Sequence, residues 1–174
     1  IGKLINMQGD KMELRRIYEY ALNREYEGKR FFTENATRLS HAAAVQAFMQ
    51  LAAEEQKHID FIKSQLDALE HGQDGDIEAG RSLEGAGFFS TRALLEGIDQ
   101  SVAEAMVPDL PVLRMAYLIE RDFAEFYEMA AMKAEGSAKD VFTMLAHWER
   151  GHERLFKQFH DKAFELYAHM PWGG

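Results

Sequence analysis

The sequence predicts an all-α protein, a bundle of four long helices, and three observations carry that reading. Apolar residues recur at helical spacing over four long segments, helix breakers are scarce, and the second half of the chain repeats the first. Three prolines, no cysteine and an abundance of Ala, Leu, Glu, Lys and Met favour helix over sheet. A chain of 174 residues is long enough for a sizeable core, and residues 1–174 read as one domain.

The first helix is expected over 11–38 and the second over 41–70, joined by a tight turn in which Ser40 is placed to cap the second. A connector follows over about 71–108. It begins with the glycine-rich, acidic "HGQDGDIEAGRSLEGAGFF", whose carboxylates from Gly72 to Gly87 are read as part of a plain flexible loop. A short amphipathic helix comes next in "STRALLEGIDQSVAEAM", with Leu94, Leu95, Ile98 and Val102 on one side. Asp109 and Pro111 open the third helix, 110–135. Gly136 stops it, and Ser137-x-x-Asp140 caps the fourth, 138–168. The connector is thus the crossover between two helix pairs.

The pairs are copies of one unit. "ALNREYEGKRFF" from Ala21 matches "AYLIERDFAEFY" from Ala116 at an offset of 95, aligning Glu25 with Glu120 and Phe31-Phe32 with Phe126-Tyr127. "FMQLAAEEQKHIDFIK" from Phe48 matches "FTMLAHWERGHERLFK" from Phe142 at an offset of 94. That aligns Glu55 with Glu149, His58 with His152 and Lys63 with Lys157. Such a duplication predicts two-fold pseudo-symmetry.

The repeated polar residues point inward. Residues three, four, seven and eight positions away share a helix face. For Glu25 these include Ile17, Tyr18, Ala21, Leu22 and Phe32; for Glu55, Ala47, Phe48, Leu51, Ala52, Ile59 and Ile62. Glu120 has Leu113, Ala116, Tyr117, Phe123, Ala124 and Tyr127, and Glu149 has Val141, Phe142, Leu145, Ala146 and Phe156. Four converging buried carboxylates repel one another and lose hydration, so their ionisation needs compensating charge, and no lysine or arginine stands on these stripes at that level. Two divalent cations balance four carboxylates. Histidine three residues after glutamate on one face lets both donate to one ion, and the set of one glutamate from each of two helices plus Glu-x-x-His from each of the others is that of dinuclear carboxylate bundles. Mixed carboxylate and imidazole donors suit iron or manganese. One such pair alone reads as an ordinary surface pair; two in register do not. His41, His71, His147, His160 and His169 lack the preceding glutamate and read as surface or helix-end residues, and the nine methionines read as core filler.

Other classes of function fit poorly. A formal net charge of -9 with no basic run disfavours nucleic acid and anionic membranes. Without cysteine there is no thiolate chemistry, disulfide or Cys-x-x-Cys metal site. No apolar run reaches the roughly 18 residues of a membrane span and the start lacks a signal-peptide core, so the expected location is the cytoplasm.

These residues resemble the rubrerythrin-like branch of the ferritin-like superfamily, from about Met12 to Phe164. The resemblance implies a ferritin-like four-helix bundle with a non-haem di-iron centre, reacting with hydrogen peroxide or dioxygen. By position, Glu25 and His58 would hold one metal, Glu120 and His152 the other, and Glu55 and Glu149 would bridge. Two departures stand out. The family's rubredoxin domain has no counterpart in a chain without cysteine, so a separate electron donor such as a rubredoxin-like protein is expected. The family's extra glutamate, three residues after the third-helix ligand, is Phe123 here. Tyr18, Tyr117 and Tyr127 lie on the ligand-bearing stripes and read as core packing, with Tyr127 the candidate to test as a proton or electron donor beside the metals, and Glu153 reads as an edge residue. The family also makes a homodimer the expected assembly, and ferroxidase, iron storage or delivery, or metal-dependent sensing are the competing functions.

Overall fold

In a computed structural model, which describes residues 2–73, 75–82 and 100–170, the described residues form helices and no strand. The long helices are α1 (Gly2–Ala36), α2 (Ala42–Glu70), α4 (Leu110–Lys133) and α5 (Gly136–His169). A short α3 (Gln100–Ala105) and a 3-10 turn (Val107–Asp109) lead into α4, and residues 77–82 are also helical. α1 packs on α2 and α4 on α5, each as a hairpin. No helix among the described residues is long and apolar enough to cross a membrane.

Three helix ends differ from expectation. α1 begins well before residue 11, because no proline interrupts the helix there. Ser40 does not cap α2: His41 occupies the N-cap, its Nδ1 accepting the Ala43 N–H at 3.1 Å. The Ser40 N–H instead donates to both carboxylate oxygens of Asp109, at 2.9 and 3.0 Å. Asp109 stands at the N-cap of α4 but makes no side-chain bond to that helix; its buried carboxylate ties the α1–α2 turn to the end of the crossover. At the second hairpin the chain leaves α4 after Lys133, and Gly136 takes a positive φ of 57°. α5 already starts at Gly136, so Ser137 lies inside its first turn and does not cap it. Of the expected amphipathic connector helix, Leu94, Leu95 and Ile98 lie outside the described residues, while Val102 packs against the core.

The core falls into two apolar clusters. One gathers Phe32, Phe48, Leu51, Leu113, Phe156 and Phe159; the other gathers Tyr18, Phe61, Ile62, Tyr127, Phe142 and Leu145. Each long helix runs from one cluster to the other, and its predicted polar residues fall at the crossing. On α1, Glu25 lies between Ala21 and Phe32; on α2, Glu55 and His58 lie between Ala52 and Phe61. On α4, Glu120 separates Ala116 from Tyr127; on α5, Glu149 and His152 separate Trp148 from Leu155. The bundle therefore has a polar waist between two dry ends. The methionines are not the filler expected. Met12, Met49, Met115, Met129, Met132 and Met170 are exposed, and among the described side chains only Met106 and Met144 are buried, because the others fall on helix faces turned from the core.

Candidate metal centre

All four glutamates of the waist have no exposed surface, and His58 and His152 are only 5% and 6% exposed. Their donor atoms converge in overlapping groups whose members lie within 4.8 Å of one another: Glu25, Glu55, His58 and Glu149 in one, Glu55, Glu120, Glu149 and His152 in the other. Glu55 and Glu149 belong to both.

The distances show why. His58 Nδ1 lies 3.2 Å from Glu25 Oε2, 2.9 Å from Glu149 Oε1 and 3.6 Å from Glu55 Oε2. His152 Nδ1 lies 3.3 Å from Glu120 Oε2, 3.2 Å from Glu149 Oε2 and 3.8 Å from Glu55 Oε1. Glu149 and Glu55 each direct one oxygen to either imidazole, whereas Glu25 serves only His58 and Glu120 only His152. The six residues singled out by the repeat meet at one place.

Both oxygens of Glu55, both of Glu120 and Oε1 of Glu149 are buried without a hydrogen-bond partner among the described residues; the close approach of Glu149 Oε1 to His58 lacks hydrogen-bond direction. An orphaned buried carboxylate oxygen costs on the order of 1–3 kcal/mol, more when charged, so five together mark a place prepared for cations. Hard oxygen donors with two imidazoles fit iron or manganese, and the residues present fit a dinuclear centre.

The electrostatics describe the same need. Burial, reinforced by Glu149, Glu25 and Glu120, pushes the Glu55 carboxyl well above its usual range. Burial also raises Glu120, helped by Glu149 and opposed by His152. Burial opposes charge on the two imidazoles, but the carboxylates outweigh it: Glu149, Glu25 and Glu55 hold His58 well above its ordinary value, and Glu120, Glu149 and Glu54 do so for His152. Glu149 is the exception among the acids. Burial resists its ionisation, yet His58 and His152 together hold it well below the usual carboxylate range. Without metal, the waist keeps its charge down by retaining protons.

Tyr127, fully buried, donates its hydroxyl to Glu25 Oε1 across the bundle. Burial and then Glu25 and Glu149 push the phenol well above its ordinary pKa, so it remains a donor. Tyr18 packs on Phe142 with ring centroids 5.0 Å apart, Tyr117 packs on His160, and Glu153 binds Arg150 at 2.6 Å; none joins the cluster. His71, like His41, sits at an end of α2.

Two residues escaped the sequence reading. Glu54 Oε2 accepts from His152 Nε2 at 2.9 Å, so this ring is held from behind while Nδ1 faces the cluster. Trp148 stacks on His58, with centroids 4.9 Å apart and an 18° tilt. At the offset of 94, Glu54 aligns with Trp148, but this is one of many mismatches between α2 and α5, so the repeat singles out neither residue.

A family model described as Rubrerythrin matches residues 16–160. No curated protein and no solved structure shows a significant match. The matched span reaches across an all-α bundle of ferritin-like type and includes all six clustered residues, and by this the chain belongs to the rubrerythrin family.

Proposed function

We propose that the waist holds two iron ions, with manganese or a mixed pair as the competing metals, and that the protein is an oxidoreductase reacting with hydrogen peroxide or dioxygen. Glu25 and His58 hold one ion, Glu120 and His152 the other, and Glu55 with Glu149 bridge them. The observation that carries this reading is the set of five buried carboxylate oxygens with no hydrogen bond, arranged about two imidazoles.

Bound iron supplies electron transfer to the oxidant. The chain supplies the rest. Glu149 keeps negative charge between the two positions, its carboxyl held ionised by His58 and His152, whereas Glu55 would give up its proton there when ions bind. Glu120, whose oxygens have no hydrogen bond among the described residues, with His152 close by at 3.3 Å, can change how its two oxygens are used. Tyr127 holds a proton at its hydroxyl on Glu25, within reach of the cluster. The apolar clusters at both ends exclude water. Electrons for repeated turnover come from a separate donor, a rubredoxin-like protein or its chemical equivalent.

The test is anaerobic loading with iron(II), followed by peroxide or dioxygen with and without an added reductant. About two irons per chain are expected, lost in the double variant Glu55→Ala with His152→Ala. Sustained peroxide consumption that requires the reductant supports the oxidoreductase. Oxidation of many irons per chain without a reductant assigns iron handling instead, and no stoichiometric metal overturns the reading.

A further inference from the structure

We propose that Phe123 is a gating residue, whose ring closes the waist against incoming cations and oxidant at the seam between α1 and α4. The proposal rests on the dinuclear reading of the site. Gly28 lies three residues after Glu25, and Phe123 three residues after Glu120; the two correspond at the offset of 95. The internal two-fold brings these equivalent positions into contact, where two large side chains would collide. A Cβ built on Gly28 would lie 2.9 Å from Phe123 Cε2 and 3.3 Å from Cζ, and 3.7 Å from Glu55 Oε2. The ring edge, the bare backbone of α1 and an oxygen of a bridging carboxylate therefore meet at one point.

Phe123 is 4% exposed, and the Arg24 guanidinium lies over its face, 4.6 Å from the centroid. Arg24 is itself only half-buried, and its Nε has no hydrogen-bond partner among the described residues. Lys29 Nζ donates to Gln56 Oε1 at 2.6 Å and links α1 to α2. Among the described residues, apolar clusters close the waist at both ends, while the Phe123 ring, with the Arg24 guanidinium over its face, stands at its side. Glycine at position 28 removes the side chain that would otherwise wedge the ring. Rotation of Phe123 then opens a way to Glu55, and the cation–π contact with Arg24 favours the closed position.

A gate has a kinetic signature, because it changes the rates of uptake and release together and leaves affinity in place. The experiment loads the protein with cobalt(II), follows uptake by its visible absorption, and measures release into excess EDTA. In Phe123→Ala both rates are expected to rise about tenfold or more, as for loss of a local opening step, with affinity little changed. Phe123→Leu, which keeps the wall apolar and protects folding, falls between. Phe159→Ala, an equally buried ring in the cluster beyond the waist, serves as the control for general loosening and keeps wild-type rates. Unchanged rates in the Phe123 variants overturn the gate. So does faster release with weakened affinity, or equal acceleration in Phe159→Ala. Failure of the wild-type chain to bind cobalt(II) strikes the dinuclear reading itself, a result distinct from a bound metal that Phe123 does not retain.

Discussion

The α1–α2 and α4–α5 halves share the frame of inward glutamates and histidines and differ in what stands behind it. Glu25, Glu55 and His58 have their counterparts in Glu120, Glu149 and His152. Tyr127, however, corresponds to Phe32, and Glu54 to Trp148. The consequences are visible in the bonds. Tyr127 reaches across to fix Glu25, whereas Phe32 has no hydroxyl to offer and neither Glu120 oxygen has a hydrogen bond among the described residues. Glu54 fixes His152 from behind, whereas His58 has the flat face of Trp148. One position has its carboxylate held, the other its imidazole. The two halves repeat the six inward residues, and single differences around them make the two positions chemically unlike.

The harshest way to break this comparison is to remove a residue common to both positions. Glu149→Ala deletes the carboxylate shared by His58 and His152 and is expected to abolish metal at both, while Glu120→Ala leaves about one ion per chain, the one on the Glu25 side. Metal analysis after dialysis distinguishes the two. If Glu149→Ala retained one ion, the shared role would be lost.

Next in size is the effect of pH on the metal-free protein. The folded pKa values of Glu55, Glu120, His58 and His152 are raised from ordinary values of 4.5 and 6.5. The folded state therefore holds more protons than the unfolded one above those values, and stability from these groups falls as pH rises, first above about 4.5 and further above about 6.5. Glu149, held low, acts oppositely: its contribution is present above 4.5 and is lost as pH falls through its folded value. Urea titrations from pH 5 to 8 should show the metal-free protein weakening, and metal affinity rising, because bound ions displace those protons. A flat metal-free profile would contradict the shared-proton account.

The bundle and its waist were legible because both are periodic. The helical spacing placed all six polar residues on inward faces, and the offsets of 95 and 94 paired them before any contact was known. Other features depended on contacts between distant residues. Ser40 has the chemistry of a cap, but its backbone is bound by Asp109, 69 positions away. Tyr127 meets Glu25 from 102 positions away. Glu54 lies next to a core residue on its own helix, and only the packing of α2 against α5 turns it toward His152. Local rules cannot place such partners.

Smaller effects sharpen the asymmetry. Glu54→Ala should weaken metal at the His152 position by about 10–100-fold and leave the other nearly unchanged, as loss of a carboxylate behind a ligand histidine does. Stepwise cobalt(II) titration reads this, and equal weakening of both steps would argue against separate support. Tyr127→Phe removes one buried hydrogen bond to a carboxylate. It should cost about 1–3 kcal/mol of metal-free stability at neutral pH, measured by denaturant unfolding. Adding Phe32→Tyr offers Glu120 the matching hydroxyl, and is expected to recover part of that loss.

The most direct measurement is anomalous diffraction from iron-loaded crystals. The account predicts two peaks, one between Glu25 and His58 and one between Glu120 and His152, both touching Glu55 and Glu149. A single peak, or none at the waist, would contradict it.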